Sequence, residues 1–256
     1  MLEGLFAGSI EDSARRESVT SASALEAVIG NLLPPIDALS SFAPRENIHV
    51  LAEVKRASPS RGDLAAIEDP TVLAKLYQQG GATGISVLTE ERKFKGSLLD
   101  LQTVRSAVTV PLLRKDFIAN EYQLLEARAF GADIALLIVA GLDQATLKRL
   151  MAFTIDLGMT PFIETHDRTE LERALELDAK FVGVNARDLS TFETNRNLFG
   201  ELVSLFPAGV IKVAESAVRN QDDVRHYREA GADVVLVGEA LVTSDPVASL
   251  TSFLEV

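Results

Sequence analysis

Glu53 and Lys55 close an apolar run that begins at His49. On an extended strand, residues two apart leave on the same face, so this run would aim a carboxylate and an ammonium in one direction. Taken alone, a Glu-x-Lys pair is better explained by an ion pair on a solvated strand, which contributes little. Other runs end in the same way: Lys115 ends a third, Glu164 a fifth, Asn185 a sixth with Arg187 two positions on, and Glu215 a seventh. Three carboxylates (Glu53, Glu164, Glu215) and three cations (Lys55, Lys115, Arg187) then sum to zero charge. Such balance suits a partly buried cluster, because an unpaired buried charge costs several kcal/mol. Mutual pairing without chemistry would produce it too. Mixed acids and bases at strand ends fit proton transfer: a carboxylate beside apolar walls titrates above its ordinary value, and a lysine crowded by other cations titrates below its own.

The elements that must bring these residues together are legible in the hydrophobic pattern. Eight short runs follow one another, 49–55, 84–89, 111–117, 134–139, 160–164, 181–185, 211–215 and 234–238, each separated from the next by a polar loop and an amphipathic stretch. Strands alternating with helices imply successive right-handed crossovers, and eight such units close a barrel. The expected fold is therefore an α/β protein of the (β/α)8 TIM-barrel class, in a single domain over 1–256. The triplets Gly80-Gly81-Ala82, Gly131-Ala132-Asp133 and Gly231-Ala232-Asp233 read as helix stops, with no chemistry implied. Residues 1–47 read as an N-terminal helical extension to the barrel at 48–256, helical over Ser23–Asn31, interrupted at Pro34-Pro35 and packed on the barrel near its mouth.

In barrels of this class the loops after the last two strands commonly hold a phosphate, using backbone N–H groups and a short helix N-terminus. Ser216, Ala217, Gly238 and Glu239 occupy those positions, and with Lys55, Ser58 and the loop Pro59–Gly62 they favour a phosphomonoester ligand.

Composition narrows the classes. No cysteine occurs, so thiolate, disulfide and cysteine–metal chemistry are excluded. The three histidines, His49, His166 and His226, lack metal-ligand spacing and read as core or surface residues, so no metal site is expected. A net charge of −12 opposes nucleic acids and anionic membranes, and any anionic ligand must be held by local groups. The longest apolar run, 134–142, is too short to span a bilayer, and the acidic N-terminus lacks a targeting pattern. A cytoplasmic protein acting on a small phosphorylated molecule, and a monomer, is the expectation.

Read together, the stretches at 52–62, 85–90, 94–97, 111–117, 183–189 and 214–216 resemble the indole-3-glycerol phosphate synthase family, in the family's order and across nearly the whole barrel. The resemblance implies a carboxy-lyase of tryptophan biosynthesis. It would close a ring in 1-(2-carboxyphenylamino)-1-deoxyribulose 5-phosphate, lose carbon dioxide and then water, and use no cofactor. It further implies Lys115 as general acid, Glu164 as base or hydroxyl partner in dehydration, and Lys55 as carboxylate contact, with Glu53 orienting the two lysines. Asn185 and Glu215 would fix hydroxyls and the anilino group, Arg187 would be a charge partner, and Phe94, Phe117, Leu136 and Leu189 would wall the aromatic ring. Ala217 departs from the family's usual glycine, and Ala140 from a frequent lysine. The alternative is a non-catalytic barrel that binds a phosphorylated metabolite or a partner. A phosphoribosylanthranilate isomerase would be expected to use a cysteine, and tryptophan synthase α-type chemistry would leave Lys55 and Lys115 unexplained.

Overall fold

The computed structural model describes residues 2–58, 62–64, 66–188 and 193–256. Eight parallel strands close into a barrel: β1 His49–Val54, β2 Gly84–Leu88, β3 Leu112–Lys115, β4 Ile134–Ile138, β5 Thr160–Thr165, β6 Phe181–Asn185, β7 Ile211–Glu215 and β8 Val234–Val237. Each pairs with its neighbours in sequence, and β8 returns to β1. Each strand coincides with an expected run, because strands covered by helices outside and side chains inside must be apolar nearly throughout. A short antiparallel hairpin, Ala57–Ser58 with Gly62–Asp63, follows β1.

Six of the helices between strands start where a polar side chain caps them. Asp69 caps Pro70–Gln79, Ser97 caps Leu98–Ala107, Asn120 caps Glu121–Ala129, Asp143 caps Gln144–Asp156, Asp167 caps Arg168–Glu176 and Asn220 caps Gln221–Glu229. Each cap oxygen accepts a first-turn N–H that has no partner within the helix. Gly131 and Gly231 end their helices at φ 94° and 100°, left-handed values that disfavour a side chain. The aspartates that follow do structural work: Asp133 accepts the Leu112 and Ile36 amides, at 2.8 and 2.7 Å.

Residues 1–47 carry more helix than their pattern suggested. The stretch expected at 23–31 is the helix Ala22–Ile29, whose Leu25 packs with Tyr122 and Leu125. The first helix, Leu2–Glu17, has no signature in the hydrophobic pattern, because its buried face is Phe6, Gly8, Ser9, Asp12 and Ser13 and shows no apolar stripe. It is held at the mouth by polar bonds to the loops after β2 and β3. Arg92 donates to Asp12 at 2.8 Å, Ser9 donates to Asp116 at 3.1 Å, and Phe6 packs edge-on to Phe117 with centroids 5.6 Å apart. Beneath it Arg114, fully buried, donates to Thr89, Asp116, Glu126 and the Gln123 carbonyl.

The opposite end is closed by the same extension. Phe42, after the short helix Ala38–Ser41, is fully buried and lies 5.3 Å from Phe181 at the start of β6. A Cβ at Gly84, where β2 begins, would come within 2.7 Å of its ring. Phe42 is thus a plug in the barrel floor. Phe42→Ala is expected to cost about 3–5 kcal/mol in a denaturant titration while leaving turnover per folded molecule unchanged.

Candidate active site

The strand register decides which ends meet. Glu53 pairs with Ser86, Leu88 with Lys115, Ile138 with Glu164 and Asn185 with Glu215, so the ionisable side chains stand near one level at the C-terminal rim. There they line a cavity of about 530 Å³. Glu53, Lys55, Lys115, Glu164, Asn185, Arg187 and Glu215 all face it, as do Ser58, Phe94, Phe117, Leu136, Ser216, Ala217, Gly238 and Glu239. Leu189 lies outside the described residues.

At the centre the Lys115 ammonium donates to Glu164 Oε2 at 3.0 Å and to Glu215 Oε2 at 2.8 Å, drawing β3, β5 and β7 together. Lys55 is ion-paired with Glu53, which is itself buried. Asn185 donates to Glu164 Oε1 at 3.2 Å, and its own oxygen accepts from Ser216 Oγ at 2.8 Å and from the Arg187 amide at 3.0 Å. Two glycines make room for these groups. A Cβ on Gly183 would meet Glu215 Oε1 at 2.3 Å and the Phe162 ring at 2.7 Å, and one on Gly238 would meet Glu53 Oε2 at 2.5 Å. Phe94 and Phe117, with centroids 6.0 Å apart, form an apolar wall with Leu136.

The site contains more charge than the six groups expected. Arg196 and Arg219 also line the cavity, both bound to Asp223, at 2.6 and 3.4 Å. His166, expected as a core or surface residue, has its Nε2 3.2 Å from Glu164 Oε1 and its Nδ1 3.0 Å from Glu170. The signal was present: His166 stands two positions beyond Glu164, the spacing that joins Glu53 to Lys55 and Asn185 to Arg187. Among the described residues no group of acidic or histidine side chains has the arrangement of a metal site.

The electrostatics correct one expectation. Lys115 is crowded by carboxylates, not cations. Burial works to lower its pKa, but the attraction of Glu164, then Glu215 and Glu53, outweighs burial and holds it above the ordinary lysine value. The two carboxylates on it part company. Burial would raise Glu164, but Lys115 and His166 hold it below the usual carboxylate range. Burial and the neighbouring Glu164 push Glu215 up to about 8. One ammonium cannot neutralise both anions. Their oxygens, each within 3.0 Å of the same nitrogen, repel by about 3 kcal/mol at an effective dielectric of 20. Keeping a proton on an ordinary carboxyl at pH 7 costs about the same, and the several kcal/mol of burying a second anion decides for protonation.

The loop after β7 carries backbone strain: Ser216 and Ala217 have φ of 68° and 58°, left-handed values without glycine. The alanine noted as a departure from a usual glycine therefore stands where glycine would be relaxed.

A family model described as indole-3-glycerol phosphate synthase matches residues 10–253. Proteins named indole-3-glycerol phosphate synthase from Leifsonia xyli subsp. xyli and Parafrankia sp. are 60% and 54% identical to this chain; they cover 99% and 96% of it, and the matches span 97% and 91% of their own lengths. One from Mycobacterium ulcerans is 50% identical over 98% of this chain and 92% of its own. Among solved structures, a thiamine phosphate pyrophosphorylase from Pyrococcus furiosus superposes with a TM-score of 0.60 at 14% identity, covering 80% of this chain and 93% of that one. An N-acetylmannosamine-6-phosphate 2-epimerase from Clostridium perfringens gives 0.61 at 14% identity, over 78% and 90%. At that identity the likeness is one of fold.

Gly183→Ala should lower kcat and cost about 1–3 kcal/mol of stability, since both Glu215 and the buried Phe162 ring must move. Glu215, with its folded pKa pushed up to about 8 from an ordinary 4.5, contributes stability that is complete below pH 4.5 and lost as pH rises through 8. Glu215→Gln should flatten the decline between those values in a pH series of thermal melts; a parallel decline in both proteins would show that Glu215 is ionised throughout.

Proposed function

The chain belongs to the indole-3-glycerol phosphate synthase family, and from that premise we propose that the cluster around Lys115 is the centre that performs its reaction. The enzyme is a carboxy-lyase that converts 1-(2-carboxyphenylamino)-1-deoxyribulose 5-phosphate to indole-3-glycerol phosphate in tryptophan biosynthesis. The observation that carries the assignment is the Lys115 ammonium bridging Glu164 and Glu215 at the rim of the same cavity that Phe94, Phe117 and Leu136 wall.

In this reading Lys115 protonates the carbonyl oxygen as the carboxylate-bearing ring carbon attacks the carbonyl carbon. An alkoxide is a stronger base than an amine, so donation stays favourable even from an ammonium held above its ordinary value. The carboxyl group leaves as carbon dioxide, and its electron pair restores the aromatic ring. Lys55 delivers a second proton, on which the new hydroxyl departs as water, while the adjacent methylene loses its proton to Glu164, which Lys115 and His166 hold below the usual carboxylate range. Lys55 meets the substrate carboxylate and assists proton transfer, and Glu53 orients it through their ion pair. Asn185 and Glu215 fix the hydroxyls and the anilino nitrogen, and Arg187 is a nearby charge partner.

The phosphate is assigned to Lys55, Ser58, Ser216, Ala217, Gly238 and Glu239, which follow the neighbouring strands β1, β7 and β8 and line the cavity. Glu239 opens a helical turn, Glu239–Val242, and offers its backbone amide there, where first-turn N–H groups lack helical acceptors. We place the enzyme in the cytoplasm as a monomer; among the described residues no helix is long and apolar enough to cross a membrane.

Turnover of the carboxyphenylamino sugar phosphate, followed by indole fluorescence, tests the reading, and binding without indole product would instead favour a silent barrel. Lys115→Ala should lower kcat by roughly 10²–10⁴-fold, the scale of a lost general acid. Its fold should survive, because Glu215 already holds a proton and Glu164 keeps His166. Comparable turnover in that variant would remove Lys115 from the mechanism.

A further inference from the structure

His166 follows β5 immediately, and both of its ring nitrogens face carboxylates. Nδ1 lies 3.0 Å from Glu170 Oε2, and the same oxygen accepts the His166 backbone amide at 2.8 Å, so Glu170 holds the residue by two bonds. Nε2 points into the barrel, 3.2 Å from Glu164 Oε1, at a distance for an ion pair although not aligned as a hydrogen bond. A neutral imidazole has one N–H and one lone pair, and here the lone pair would confront a carboxylate oxygen. Only the doubly protonated ring satisfies both neighbours. The side chain is 11% exposed, so water screens this charge little.

We propose that His166 is a positioning residue for the reaction, a permanent imidazolium that orients the Glu164 carboxylate and holds it as an anion ready to accept a proton. The groups facing Glu164 make this role specific. Lys115 from β3 occupies its Oε2, Asn185 from β6 its Oε1, and Glu215 from β7 lies across the shared ammonium. Lys115 is divided between two carboxylates, and Asn185 is neutral. His166 therefore supplies the charge that singles out Glu164 and leaves the shared proton on Glu215. Its pKa agrees: burial would lower it, but Glu164 and Glu170 raise it to about 10.

This inference rests on the reading of Glu164 as the proton acceptor, and the experiment separates the two. In that reading Glu164 must be ionised, so the acid limb of the kcat–pH profile reports its protonation. Removing a neighbouring positive charge makes protonation easier and moves the limb upward. His166→Gln should shift the limb up by about one pH unit. On the acid side kcat should fall about tenfold, with KM within about twofold of the parent. His166→Arg keeps a positive charge and should leave the limb near its original place. Glu170→Gln, which loosens the ring without deleting it, should give a smaller shift in the same direction, and it decides the matter should His166→Gln fail to fold. Glu164→Gln is the control. If it retains turnover, the role of Glu164 fails and the inference falls with it. If Glu164→Gln is inactive but His166→Gln and Glu170→Gln keep the parent profile, or the Gln and Arg variants shift alike, the inference about His166 alone is overturned.

Discussion

The site depends on one constraint: a single buried ammonium shared by two carboxylates. Lys115 can sit at the rim of an apolar barrel only because Glu164 and Glu215 meet it, and beside it Glu164 stays an anion while Glu215 keeps a proton. The surplus negative charge is resolved within the cluster, by a proton on Glu215 and by the imidazolium of His166 beside Glu164. Two carboxyl groups of identical chemistry thus acquire different roles from their neighbours, one poised to receive a proton and the other already holding one.

The barrel serves this cluster through small residues as much as large ones. Gly183 and Gly238 leave the volume that Glu215 and Glu53 occupy, so strand backbone sits where side chains would otherwise fill the interior. The N-terminal extension works at both ends. Phe42 closes the floor, while the helix Leu2–Glu17 is fastened above by a chain of buried polar bonds through Ser9, Asp116, Arg114 and Glu126, bringing Leu5 to the cavity wall. The polar fastening holds because Arg114, which has no exposed surface, has acceptors for its guanidinium on several sides.

Several readings that failed share a cause. The helix Leu2–Glu17 buries glycine, serine and aspartate, so no period of apolar residues announces it. His166 shares the two-residue spacing of the other rim pairs, but its charge comes from Glu170 one helical turn along and from Glu164, contacts that spacing alone does not show. The direction of the Lys115 shift depends on which charges surround it, and the sequence shows only that acids and bases converge, not which atoms touch.

By itself the sequence determined the eight strands, their order and the rim at which Lys55, Lys115, Glu164 and Glu215 gather. Eight apolar runs alternating with helices are the number that closes a parallel barrel, and the strand ends of that architecture share one side. The three-dimensional arrangement alone decided which carboxylate keeps its proton, which histidine is charged and how the extension closes both ends. Those outcomes turn on separations of about 3 Å between residues distant in the chain, where Coulomb energy and desolvation nearly cancel and small displacements choose between them.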